Sequence, residues 1–375
     1  MWRVVKTAMP LIAFAGMIHG CAVSESIPER TVVVNMEAHD LMGDGYVSEA
    51  FTVEKVLPLK TRHISSIDKL AIADGRLYVL DGRLHRLWAF SLDGDSLMCI
   101  DKRGHAGNEY IKITDFAVDR NGRVVIYDAN SARALRYDAT GKFISSNKIG
   151  YADAFMLRAN GNTVLLNNRA GKAALTEYGQ DGAKLRCAAG HVVEAPLSMS
   201  YLGGMAEQGD SILFTVPFDY TIYAMSGRTI KPKYMLEFPN HTVPDGLWRE
   251  DKKTVIGKLG RIDEVLYIDN LCLLGHHLLM STNHNVPIVY DTDSRTVKVI
   301  GNLSLPYSVL YSSKLTFTSD GILLASVSPA NMKNGLCPAL SDYLKDMPCL
   351  APVENIDRYE GCWWVVVAKV NENSL

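Results

Sequence analysis

Several groups of residues have the types to do chemistry. His276-His277 and His284-Asn285 gather three imidazoles in one short stretch, and imidazole is a common transition-metal ligand. Adjacent residues of a strand point to opposite faces, so only one of the pair is expected to join His284. No carboxylate at ligand spacing completes a site locally, and the three are read as surface or core histidines. Asp115, Asn167, Asp219 and Asp269 recur in comparable parts of successive units. Pointed at one axis they would form a ring of oxygen donors for a hard cation, although Asp and Asn at strand ends commonly shape turns instead. Arg103-Gly104-His105-Ala106-Gly107-Asn108-Glu109-Tyr110 is a glycine-bearing linker in which Arg103, Glu109 and Tyr110 are candidate ligand contacts. The same Glu109 and Tyr110 could serve to hold neighbouring backbone. Trp248, among Arg249, Glu250 and Asp251, is the accessible aromatic expected to bind, whereas Trp88 and one of Trp363 and Trp364 fall on apolar runs and belong in a core. The chain has no GxSxG elbow and no SxxK, so no activated nucleophile is recognisable. No catalysis, cofactor or metal is expected.

A different chemistry belongs to Cys21. Arg3 and Lys6 precede an apolar run from Ala8 to Ile18 that is too short to span a bilayer, which needs about 20 apolar residues. A basic leader before a short apolar run is the pattern of a cleaved export signal. It ends in Ile18-His19-Gly20-Cys21, which resembles a bacterial lipobox with His19 in place of the usual small residue. Residues 1–20 are therefore expected to be a lipoprotein signal peptide and Cys21 the site of lipid attachment. Residues 21–50 read as a tether and 51–375 as the folded domain. No later stretch is long and apolar enough to span a membrane.

Composition narrows the partners. With 39 basic and 41 acidic residues the formal net charge is -2, which removes the basic field that nucleic-acid binding relies on. The other cysteines, at 99, 187, 272, 337, 349 and 362, form no CxxC pair. Cys337 and Cys349 could bridge in an oxidising compartment, or stand as isolated thiols.

The elements that would position these residues come from repeats. Gly75-Arg76-Leu77-Tyr78-Val79-Leu80-Asp81 returns 47 positions later as Gly122-Arg123-Val124-Val125-Ile126-Tyr127-Asp128, and weaker copies begin at Gly161, Gly209, near His277 and at Gly321. Asp74-Gly75 and Asn121-Gly122 are hairpin turns, because glycine accepts the positive φ of a tight connection. The β-branched and aromatic runs that follow read as inner strands buried on both faces. Further turns at Asp93-Gly94 and Thr140-Gly141 launch an outer strand. About four short strands per unit, six times over, predicts an all-β six-bladed propeller. Phe51–Val56 and Trp363–Ala368 are expected to pair and close the ring. Between blades four and five, Pro239 to Asn270 has apolar spacing near three to four and predicts a short helical insertion.

These residues resemble a family, the six-bladed, NHL-repeat-like propeller lipoproteins of Bacteroides-type bacteria. The Arg103–Tyr110 linker is similar to that family's RGxGPGEY, with Ala106 and Asn108 departing from it, and Phe218-Asp219-Tyr220 and Tyr267-Ile268-Asp269-Asn270 add to the likeness. The repeats, Cys21 and the missing catalytic set predict an outer-membrane lipoprotein, on its periplasmic or surface face, whose propeller binds a glycan, a peptide or another envelope protein. The resemblance implies the fold and export, with no agreed ligand. It implies no enzymatic activity. The alternative is a metal-assisted hydrolase, lactonase or lyase working in the central channel.

Overall fold

The repeats resolve into six sheets set around one axis. The computed structural model describes residues 30–36, 51–169, 172–192, 204–244, 246–247, 250–259, 264–284, 286–300, 315–331 and 358–372. The first two strands are β1 (Arg30–Val33) and β2 (Phe51–Pro58). Blade one is β3 (Lys69–Ala73), β4 (Arg76–Asp81), β5 (Arg86–Ser91) and β6 (Ser96–Ile100). Blade two is β7 (Asp115–Val118), β8 (Val124–Asp128), β9 (Arg133–Tyr137) and β10 (Phe143–Lys148). Blade three is β11 (Ala154–Leu157), β12 (Thr163–Arg169), β13 (Lys172–Tyr178) and β14 (Lys184–His191). Blade four holds β15 (Met205–Gln208), β16 (Ser211–Phe214), β17 (Thr221–Ser226) and β18 (Thr229–Glu237). Blade five is β19 (Ile268–Leu274), β20 (His277–Thr282), β21 (Pro287–Asp291) and β22 (Val297–Val299). Blade six joins β23 (Leu315–Phe317), β24 (Ile322–Val327) and β25 (Trp364–Val370) to β2.

Closure follows the expected pairing. β2 lies antiparallel to β25, with Phe51 opposite Val370 and Pro58 opposite Trp364. The first strand of each blade, β3, β7, β11, β15, β19 and β23, lines the channel, and β23 packs back against β3. The apolar runs after the turn glycines are thus the second strands rather than the innermost ones. Their burial on both faces has a simple cause: six apolar clusters fill the spaces between consecutive blades, so each sheet is covered twice. Polar tips stitch the same interfaces. The Tyr78 hydroxyl donates to the Gly122 carbonyl at 3.2 Å, and Arg76 Nη1 donates to the Ala139 carbonyl at 2.6 Å, both joining blade one to blade two.

The disc has two faces. One carries the hairpins joining first to second and third to fourth strands, here called the turn face. The other carries the crossovers between blades, the linker face. Asp81 and Asp128, the last residues of the two strongest repeats, sit at the linker face fully buried. Each accepts from its own turn and from the incoming crossover: Asp81 from the Leu84 and Ser65 amides, Asp128 from the Asn130 and Ile111 amides. They are blade joints, which explains their place in the repeat.

Two features of the sequence reading change. The expected tether contains β1, which lies parallel to β18 and makes blade four five-stranded. Val32, Val34 and Met36 sink into the space between blades four and five, and that burial holds the segment there. The insertion between those blades does contain a helix, α1 (Lys252–Leu259), but it ends before Asn270, which already lies in β19. Asp251 caps α1 through the Lys253 and Thr254 amides. Val243, Leu247 and Val255 form its small core, and the Tyr220 hydroxyl pins it by accepting from the Val243 amide and donating to the Val265 carbonyl.

Candidate functional site

At the turn face the ends of the inner strands leave a cavity of about 530 Å³ around the channel mouth, within the usual size range of small-molecule sites. Val118 to Asn121 and Arg123 of blade two, Met156 to Gly161 of blade three and Met205 to Glu207 of blade four form most of its wall. Leu271 to Leu273 and Ser319 complete it from blades five and six. Its polar groups come from the first-to-second strand turns, which need Asp, Asn and Gly, while Val118, Met156, Leu157, Met205 and Leu271 make the rest of the wall apolar.

One charged cluster shapes this mouth. Arg158, just past β11, is buried and donates from Nη1 to both Glu177 oxygens at 3.1 and 3.2 Å. Its Nη2 lies 2.7 Å from Glu207 and donates to the Gly209 carbonyl at 3.1 Å, so the guanidinium bridges blades three and four. Arg186 and Asn162 also donate to Glu177. Burial alone would push the Glu177 carboxyl up, but the hydrogen bonds from Asn162, Arg186 and Arg158 more than offset it and hold its pKa below the ordinary range. Glu207 in turn accepts from the Ala159 amide, fixing the turn that lines the cavity.

Cations gather on the neighbouring wall. Arg123 pairs with Asp119, and Arg120 is exposed beside it. Behind them Arg136 Nη2 donates to the Gly161 carbonyl at 3.2 Å, while its buried Nε has no hydrogen-bond partner. Burial, and then the nearby Arg123 charge, lower the Arg136 pKa. An acidic group entering here would meet the exposed Arg120, while Arg123 stays paired with Asp119.

The sequence candidates fall elsewhere. Arg103 to Tyr110 is a linker-face crossover closed on itself by the Gly104 amide donating to the Tyr110 carbonyl at 3.0 Å. Tyr110 is completely buried, and its hydroxyl donates to the His85 carbonyl at 2.8 Å, with the Ile100 carbonyl 3.1 Å away, while accepting from the Lys102 amide. Glu109 turns back to accept from the Ala106 amide, and a Cβ on Gly104 would collide with its carboxylate. Glu109 and Tyr110 therefore hold backbone, the second of the two roles open to them from the sequence, and Arg103 alone of the three is exposed. Cys21, Trp248, Cys337 and Cys349 lie outside the described residues.

The ring of oxygen donors does not assemble among the described carboxylates. Asp115 is held by Lys69 at 2.7 Å, Asp219 accepts from the Tyr223 hydroxyl and Asp269 from Ser281. Burial raises the Asp115 pKa even against the Lys69 charge. The histidines are a second correction. His276 sits in the Gly275-His276 turn rather than on a strand, so alternation does not separate it from His277. Their ring centroids lie 4.1 Å apart. His284 is drawn away, its Nε2 3.1 Å from the Glu264 carbonyl. The Arg158–Glu177–Glu207 cluster had no signal in the sequence, because its members come from separate strands.

Six blades, five of four strands and one of five, around an inner ring of strands define a β-propeller closed by pairing of its first and last blade strands. The chain belongs to a family known as a domain of unknown function, DUF4934, whose model matches residues 44–346. Its fold is similar to that of a Bacteroides fragilis protein inferred to be exported, with a TM-score of 0.65, 14% identity and coverage of 91% of this chain and 100% of that one. A catalytically inactive virginiamycin B lyase from Staphylococcus aureus overlaps at a TM-score of 0.44 and 13% identity, covering 73% of this chain and 81% of that one. No curated protein matches the chain.

Proposed function

We propose that this protein is an exported lipoprotein of the NHL-repeat-like kind whose propeller binds an acid-bearing glycan or peptide at the turn-face mouth. The observation that carries the reading is the cavity bordered by the exposed Arg120 and Arg123, with Arg158 bound to Glu177 and Glu207 fixing its wall. Its guanidinium and amide groups match acid and hydroxyl groups of a polar ligand, and the wall contains no aromatic platform for neutral sugars. Export and anchoring are supported by the basic leader, the apolar run and Cys21, and by the inferred export of the similar Bacteroides fragilis propeller.

The anchor also restrains orientation. Arg30 of β1 follows Cys21 by nine positions, a reach of about 30 Å at full extension. A diacylated Cys21 would therefore keep the rim of blade four close to the membrane. Replacing Cys21 with Ala is expected to move the protein from the membrane fraction to the soluble fraction of the envelope. Unchanged fractionation sinks the anchor. For the mouth, acidic oligosaccharides and acidic peptides are titrated against the soluble domain. A ligand that raises its melting temperature is expected to lose that effect in Arg120→Glu, an exposed site whose change leaves the fold intact. Equal shifts in both proteins place the ligand elsewhere.

A further inference from the structure

Blade five carries a cluster that the channel mouth does not use. Among the described residues, His276, His277 and Asp291 are the group whose ligating atoms all lie within 4.8 Å of one another. We propose that these three side chains form a binding site for a divalent transition metal of the zinc class. Nε2 of His276 and Nε2 of His277 lie 3.9 and 4.0 Å from the same oxygen, Oδ2 of Asp291. Donors about 2.0–2.2 Å from a tetrahedral ion stand slightly more than 3 Å apart, so a small closure completes the site. His276 can supply it, because its side chain is half exposed on a turn.

The surrounding contacts orient the ligands. Asp291 Oδ1 accepts from the Asp293 and Ser294 amides at 2.8 and 3.0 Å, and Oδ2 accepts from the Ser294 hydroxyl at 2.7 Å. Oδ2 keeps a lone pair for the ion. The Thr292 amide and hydroxyl both donate to the His276 carbonyl, at 2.9 and 2.8 Å, which fixes the turn that presents this histidine. Partners of this sort position metal ligands in established sites.

His277 gives the second, independent observation. It is 6% exposed, and its buried Nδ1 has no hydrogen-bond partner. A buried imidazole nitrogen without a partner carries a desolvation cost. The other nitrogen, Nε2, faces Asp291 Oδ2 at 4.0 Å, beyond hydrogen-bond reach, and a cation between the two would give this ring a polar partner. Two imidazoles and one carboxylate suit zinc, nickel or copper, whereas calcium and magnesium call for oxygen donors throughout. Water fills the remaining position, and the charge of Glu372 also acts on His277.

The experiment titrates zinc ions into untagged protein by calorimetry, comparing wild type with His276→Ala and Asp291→Asn. Wild type is expected to bind one equivalent, with affinity at least tenfold weaker in either variant. Because His276 is exposed, His276→Ala should keep the metal-free melting temperature, and zinc should raise that temperature only in wild type. Cobalt in place of zinc should give a visible band absent from His276→Ala. Equal zinc affinity and stoichiometry in wild type and His276→Ala, or no binding to wild type, overturns the site.

Discussion

Glu177→Gln is expected to lower the stability of the propeller by about 3–5 kcal/mol, the cost of removing one partner from a buried ion pair. Glu177 is 3% exposed and Arg158 8%. Two guanidinium groups and the Asn162 amide converge on the one carboxylate. Neutralising it leaves Arg186 without its carboxylate and Arg158 with Glu207 alone. The urea midpoint reports the loss, and a shift below about 1 kcal/mol overturns it. The exposed pair Lys60–Asp95 gives the contrast, since Asp95→Asn should cost less than about 1 kcal/mol. Acid dependence supplies a second readout. The Glu177 pKa is depressed in the folded state, so its contribution is present above the unfolded carboxyl pKa of about 4.3 and is lost as pH falls through the lower folded value. Glu177→Gln should therefore flatten the acid limb of the stability curve as well as lower its plateau.

This cluster also shows where sequence reading stops. Arg158 is separated from Glu177 by 19 positions and from Glu207 by 49. None of the three falls on a periodic pattern, because a charge at the end of a short strand carries no face signal. The repeats were legible for the opposite reason. Gly75 and Gly122 occupy positive-φ turns, at 64° and 72°, and the apolar runs behind them are covered by neighbours on both sides, so turn and burial signals coincide at a fixed period. Closure through Phe51–Pro58 could be read as well, since a lone strand before the first repeat has to pair somewhere. β1 escaped because four residues are too few for alternation to stand out. The histidine pair misled because the alternation rule was applied one residue beyond the strand: His277 begins β20, and His276 belongs to its turn. Glu109 and Tyr110 had the chemistry of ligand contacts, but that chemistry is spent on backbone.

Closure carries the largest effect of all. A chain that begins after Leu59 is expected to lose the cooperative fold, because β2 supplies the outer strand of blade six. Phe51, Val53, Val56, Leu57 and Leu59 are all nearly or fully buried. At about 1.5–3 kcal/mol per buried side chain, they hold on the order of 10 kcal/mol, comparable to the whole stability of a typical domain. Their loss bares β25, a strand of Trp364-Val365-Val366-Val367-Ala368-Lys369-Val370 with an unpaired edge, which is a template for aggregation. The local packing at the joint argues the same way. Gly94 of blade one lies against β2 so closely that a Cβ would stand 1.9 Å from the Pro58 carbonyl, and the Lys60 amide donates to the Gly94 carbonyl at 2.9 Å. Removing β2 therefore loosens blade one as well as blade six. Size-exclusion chromatography and near-ultraviolet circular dichroism should show a larger, poorly packed species. A synthetic peptide spanning residues 50–60 should restore the compact monomer when added during refolding, by strand addition to β25. A truncated chain that elutes as a monomer and melts at the full-length temperature would show that the ring stays shut without β2.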